Sequence, residues 1–266
     1  MAIGSLIPSQ LIPGISVLVL LLPLLVIPHS VALLFWLRFN PRKSSANLIG
    51  LAIITVPLMA QWPYAQGEEV SEDEVKIATY NVRAFYQTSG AAQKIGNWSQ
   101  EESVDISCMQ EIRRSAAAPL AKHYPYRTYA PRAKNYSVAI YSKYPILKHS
   151  PLVYTSLSTK GYAKTSAQYA DIALPFDTVR ILNVHLSSTG LQDQDMDVVH
   201  SRDELLETGQ FVLSKLAATD RNRGLQANHI VEWVKESPHP VILVGDFNGV
   251  PGGNLYWRLL RQLDDP

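Results

Sequence analysis

The chain has 266 residues, 24 Lys and Arg against 23 Asp and Glu, and 47% hydrophobic residues. This length allows one good-sized domain plus a further segment, and the near-neutral charge gives no sign of a broad nucleic-acid-binding surface while leaving room for a local groove. The single cysteine, Cys108, excludes an internal disulfide framework and a cysteine-rich zinc site; inside an apolar run, it reads as a small core residue.

The apolar residues are unevenly spread. Residues 10–37, QLIPGISVLVLLLPLLVIPHSVALLFWL, contain no Lys, Arg, Asp or Glu. A hydrocarbon core needs about 20 apolar residues of helix, and Pro13, Pro23 and Pro28 are tolerated in membrane spans. A second, shorter run covers 46–62, ANLIGLAIITVPLMAQW, with Trp62 at its end and Trp36 near the end of the first run, where interfacial aromatics are common. The intervening 38–45, RFNPRKSS, carries Arg38, Arg42 and Lys43. The positive-inside rule places it in the cytoplasm and everything after Trp62 outside it. A cleaved signal peptide is the rival reading, but it would need a basic start, and Met1 to Gln10 carries no charge. The expectation is a two-helix membrane anchor over 1–66 and an acidic solvated linker at 67–74, GEEVSEDE.

From residue 75 onward the chain reads as a soluble α/β or α+β domain. Four short, mostly apolar segments end on polar residues: 75–81 (VKIATYN), 104–111 (VDISCMQE), 177–185 (DTVRILNVH) and 241–248 (VILVGDFN). Further strands are expected at 137–142 and 169–174, and helices near 91–102 and 224–235. Residues i and i+2 of a strand face the same way, so Asp246 and Asn248 can reach one site, where Glu111 and Asn81 would add oxygens. Such hard donors suit Mg²⁺, Mn²⁺ or Ca²⁺ rather than Zn²⁺, and His185 beside them could steady a phosphate or pass a proton. Taken singly, a strand-end Asp or Asn is ordinarily a turn former or helix cap, and a lone histidine is more often structural than catalytic.

The motifs in order carry more. TYN, MQEIR, AIYSKYPI, LNVHL and VGDFNGVP, with RNRGLQANHIVEWV before the last, resemble the endonuclease/exonuclease/phosphatase superfamily. That group includes DNase I-like nucleases, apurinic endonucleases, neutral sphingomyelinases and inositol-polyphosphate 5-phosphatases. The resemblance implies a DNase I-like four-layer α/β sandwich over 75–266 and metal-dependent hydrolysis of phosphate esters. It implies Glu111 as main metal ligand with Asn81 and Asp246 beside it, Asp246 activating water, Asn248 positioning Asp246 and the phosphate, and His185 bonding a phosphate oxygen. Mg²⁺ is the implied ion, with Mn²⁺ or Ca²⁺ as substitutes. The family closes on Ser-Asp-His, a tripeptide this sequence lacks, so the domain is expected to be C-terminally incomplete and a binding module of weak or no activity is the alternative.

Substrate signals are weaker. Tyr124, Tyr126, Tyr129 and Tyr136 interleave with Lys and Arg over 121–137, which reads first as an exposed loop and second as a base-stacking surface. Arg113 and Arg114 follow Glu111 and could meet a phosphate. The acid-rich 187–221 reads as a partly helical lid or partner surface. Nucleic acid and phospholipid or sphingolipid head groups both stay open as substrates; the bilayer is the one further partner expected, with no obligate protein partner.

Overall fold

Hydrophobic patterning resolves into two kinds of element in the computed structural model, which describes Val19 and residues 21–59, 74–86, 88–130, 137–155, 166–190 and 202–263. The linker residues 67–73, Trp62 and Tyr136 lie outside them. The chain divides into two compact units, residues 1–66 with 187–231 and 249–266, and residues 67–186 with 232–248.

In the first unit, α1 (Leu22–Phe39) and α2 (Pro41–Met59) form an antiparallel hairpin. Val19, Leu22 and Ile54 are buried between them, with Leu25, Val26 and Leu58 packed alongside. His29 Nδ1 meets Asn47 Oδ1 at 3.3 Å, opposite Gly50, where a side chain would press on the imidazole at 3.1 Å. The basic loop expected at 38–45 reduces to one non-helical residue, Asn40, because its backbone N–H bonds back to Trp36 O at 2.8 Å and Pro41 starts the next helix. Among the described residues α1 is the one helix long and apolar enough to cross a membrane. The same unit holds most of α5 (Arg202–Lys235) and the short α6 (Asn254–Leu260). The helix expected at 224–235 is thus the end of one of 34 residues.

The second unit is two four-stranded sheets. The first has the order β1-β2-β4-β3, from β1 (Ile77–Asn81), β2 (Ile106–Ile112), β3 (Tyr126–Tyr129) and β4 (Ser137–Ser142). The second has the order β5-β6-β7-β8, from β5 (Ile146–Leu152), β6 (Ala167–Ala173), β7 (Thr178–His185) and β8 (Val241–Asp246). One parallel pair lies in each sheet, β1 with β2 and β7 with β8; the other pairings are antiparallel. Ile106, Cys108 and Ile140 of the first sheet pack against Ala170, Ile172, Val179 and Ile181 of the second, as alternation requires. Burial pushes the Cys108 thiol pKa up, so it stays neutral and inert in that core. On the other face of the first sheet, Met109, Ala139 and Tyr141 lie under Ile95 of α3 (Ala91–Glu101) and Leu120 of α4 (Ala118–Ala121). Helix, sheet and sheet give three of the four expected layers within this unit.

The stretch expected to be an exposed loop at 121–137 instead contains β3, and Tyr124 is only 1% exposed, with its hydroxyl 2.7 Å from Ser107 Oγ. The reason is register: β3 pairs with β4 from Tyr126↔Ser142 to Tyr129↔Ala139 and closes the sheet edge.

A polar clasp joins the sheets. Buried Gln110 donates from Nε2 to Asn183 Oδ1 at 2.8 Å and to Thr79 Oγ1 at 3.0 Å, while Asn183 Nδ2 donates to Ala139 O at 2.9 Å and Met109 O at 3.2 Å. Such groups hold the interface in one register because leaving any of them unpaired costs about 1–3 kcal/mol.

Gly245 has φ 141°, and a Cβ there would stand 1.9 Å from Val184 O on the paired strand. We expect Gly245→Ala to destabilise the full-length protein by about 3 kcal/mol or more, read as a large drop in melting temperature; an unchanged melt would refute this account of the β7–β8 pairing.

Candidate active site

Both parallel strand pairs end at the same place. Register sets Asn81 beside Gln110, and His185 beside Asp246. The chain needs unusual backbone to turn the tips inward. Met109 to Ile112 is a bulge, and within it Glu111 has φ 52°. Asn248 has φ 47°, and Arg83, Ala84 and Phe85 form a left-handed turn at φ 41°, 53° and 63°. Side-chain-bearing residues in this region carry a cost of about 1–2 kcal/mol each, and such outliers gather where function holds them.

The side chains converge. Asn81 Nδ2 donates to Glu111 Oε1 at 3.0 Å and to Asp246 Oδ2 at 2.9 Å. His185 Nε2 lies 3.7 Å from each of the same two oxygens. The other oxygen of Asp246, Oδ1, accepts the Asn248 backbone N–H at 3.0 Å, and Asn248 Nδ2 donates to Leu186 O at 3.0 Å. β8 stops at Asp246, so Asn248 arrives through a left-handed turn rather than through strand alternation. Asn81 Oδ1 accepts the Arg83 backbone N–H at 3.0 Å, which orients the amide so that nitrogen, not oxygen, faces the carboxylates. Acting as an oxygen ligand would require Asn81 to turn over and give up that bond.

His185 is 5% exposed. Desolvation lowers its pKa from the ordinary value, outweighing the attraction of Asp246 and Glu111. The imidazole is therefore neutral, and the two carboxylates face only neutral partners inside the cluster. Like charges so placed favour a cation between them. Among the described residues no three His, Cys, Asp or Glu side chains form a metal-holding group on their own. Two carboxylates whose side chains are about 30% exposed nevertheless fit a hard ion such as Mg²⁺, which keeps several waters and is held by one or two carboxylates plus substrate.

Arg113 follows in extended backbone, with its Cζ 5.8 Å from the centroid of the exposed Tyr86 ring and its Nε buried without a hydrogen-bond partner. Arg114 Cζ lies 4.7 Å from the Tyr129 centroid. Tyr86 was not legible as a rim residue; its ring comes beside Arg113 because the left-handed turn at 83–85 reverses the chain after β1.

The model of the Endonuclease/Exonuclease/phosphatase family matches residues 78–266. A search of curated proteins finds no match. Among solved structures, a β-hairpin deletion mutant of beta toxin from Staphylococcus aureus is similar at TM-score 0.51 and 21% identity, over 72% of this chain and 73% of that one. A variant of the same toxin with bound magnesium ions is similar at TM-score 0.50 and 20% identity, over 73% and 71% of the two chains. Humanized D. rerio TDP2 shares 14% identity at TM-score 0.46 over 65% of this chain, which spans 62% of that structure. At these identities the toxin likeness shows the fold.

Because the folded pKa of His185 lies below its unfolded value near 6.5, the unfolded state binds more protons in the window between the two. In chelator-treated protein, stability is therefore expected to fall as pH drops below about 6.5. His185→Asn should flatten that slope in thermal melts at pH 5.0–7.5; an identical slope in the variant would show that His185 is not the group responsible.

Proposed function

The chain belongs to the Endonuclease/Exonuclease/phosphatase family, and we propose that it is a membrane-tethered, divalent-metal-dependent hydrolase of phosphate esters, working on phosphodiesters outside the cytoplasm. One observation carries the reading: carboxylate oxygens of Glu111 and Asp246, brought from two different sheets, share one amide donor at 3.0 and 2.9 Å.

Glu111 and Asp246 would hold the ion, Mg²⁺ by the chemistry of the donors and by the magnesium bound in the similar beta toxin variant. When bound, that ion supplies Lewis-acid stabilisation of charge developing on the phosphate oxygens. Asn81 keeps the two carboxylates at a fixed separation. Asp246, with Oδ1 on the Asn248 N–H and Oδ2 on Asn81, is oriented to take the proton of a water attacking phosphorus. Asn248 braces that carboxylate through its backbone and ties the β7 end through its side chain. Neutral His185 can donate a hydrogen bond to a non-bridging phosphate oxygen, where donors count most as charge builds. The Arg113 guanidinium, beside the Tyr86 ring, offers a second phosphate contact.

For the anchor, α1 meets the length and hydropathy of a span; α2, antiparallel to it and 19 residues long, is not apolar enough by itself and would cross only as the packed partner of α1. The residues at their junction, Arg38, Arg42 and Lys43, are basic, which supports a cytoplasmic tip and an extracytoplasmic domain.

Glu111→Gln and Asp246→Asn should each lower kcat/KM on bis-p-nitrophenyl phosphate about 10²-fold or more, and EDTA should abolish turnover until Mg²⁺ is restored. Plasmid DNA and sphingomyelin vesicles assayed in parallel decide the substrate class; metal-independent turnover, or wild-type rates in both variants, would refute the assignment. A C-terminal alkaline phosphatase fusion should be active in cells, whereas an inactive fusion would overturn the proposed orientation.

A further inference from the structure

The outer face of the second sheet holds a cavity of about 400 Å³ that the hydrolytic reading leaves unused. This volume lies within the range of small-molecule sites. Arg180 and Leu182 line it, alternating along β7 with Ile181 and Asn183, which face the first sheet. Arg180 stands five residues before His185, roughly 16 Å along the strand, so the cavity is separate from the active site in both height and face.

Its floor is an ionic cluster. Arg180, 8% exposed, donates from Nε to Asp171 Oδ1 at 2.7 Å and from Nη2 to Asp171 Oδ2 at 2.9 Å. Its guanidinium carbon lies 3.9 Å from the centre of the Tyr169 ring. Asp171 thus takes one edge of the fork. A guanidinium has five N–H groups, and among the described residues nothing accepts from the Nη1 side. Burying an ion pair is costly unless further bonds are made, and a fork with one edge fixed and the other lining a cavity is preset for a planar anion.

The mouth carries exposed charges of both signs. Lys148 of β5 and Glu236, one residue past α5, both line the cavity, and neither side chain makes a hydrogen bond or ion pair among the described residues. Between them Trp233 forms an aromatic wall, held at 5.0 Å between ring centres by Tyr154. Arg180 and Lys148 suit an anionic group, whereas Glu236 beside an indole suits an ammonium.

We propose that this cavity is a second binding site, for a compact zwitterion whose phosphate or carboxylate lies on Arg180 and Lys148 and whose ammonium lies at Glu236 beside Trp233. The site does not depend on the hydrolytic activity and stands if that activity is refuted.

The test is calorimetric titration of the full-length protein in detergent, with chelator present so that no metal at the active site captures the anion. The probes are phosphoethanolamine, β-alanine, inorganic phosphate and ethanolamine. At least one zwitterion should bind tenfold or more tightly than either single-charge probe, and which one does so identifies the anion. Glu236→Gln should bring that zwitterion down to the affinity of its anion alone, and Lys148→Ala should weaken it severalfold. Both replace exposed side chains and should leave turnover of bis-p-nitrophenyl phosphate unchanged. No binding of any probe, equal binding of whole and half probes, or zwitterion binding that survives Glu236→Gln but disappears in Asp246→Asn would overturn the proposal.

Discussion

Two negatively charged oxygens held a few ångströms apart are the constraint around which the second unit is built. Glu111 and Asp246 come from strands of different sheets, and Coulomb repulsion would part them if the tips were free. The shared Asn81 amide opposes this directly. Behind it, the buried Gln110–Asn183 clasp fixes one sheet against the other by groups that cannot slip without losing several hydrogen bonds. The apolar layer of Ile106, Ile140, Ile172 and Ile181 supplies bulk cohesion, but apolar contact alone tolerates sliding, whereas directional bonds do not.

The same constraint explains where backbone strain sits. Glu111, at φ 52°, is one member of the carboxylate pair, and Asn248, at φ 47°, braces the other. In each case a non-glycine residue holds a conformation that its side chain disfavours, and in each case a hydrogen bond or neighbouring strand enforces it. His185 adds an electrostatic version of the same compromise: burial lowers its pKa although two carboxylates pull the other way. On the proposed function, a bound ion would place positive charge among these groups.

Much of this was legible in the sequence wherever residue pattern and element coincide. β4 spans the expected Ser137–Ser142, and the four polar strand ends converge as their motifs imply. What escaped depends on partners far along the chain. β3 reads Tyr-Arg-Thr-Tyr and β5 contains Lys-His-Ser-Pro, compositions that look like loop; both are edge strands, where one side need not pair and Pro151 is tolerated. The start of α5 falls within 187–221, read as partly helical, but its continuity with the helix at 224–235 was not legible. The Arg180–Asp171 pair was invisible, because only the β6–β7 register sets those two residues opposite each other. Asn81 lies beside Glu111 and Asp246, but the direction of its amide follows from one backbone N–H at Arg83 that no spacing encodes.

The strand order has a bearing on biosynthesis. Asn81 and Asp246 are 165 positions apart, and β8 joins its sheet only beside β7, as a parallel edge strand. Parallel pairs between distant segments form late, after their loop-closure entropy is met. A nascent chain emerging from the ribosome therefore carries Asn81, Glu111 and His185 for many seconds without Asp246. The carboxylate pair cannot assemble during that interval, so the timing of synthesis itself keeps the cluster open until Asp246 has been delivered.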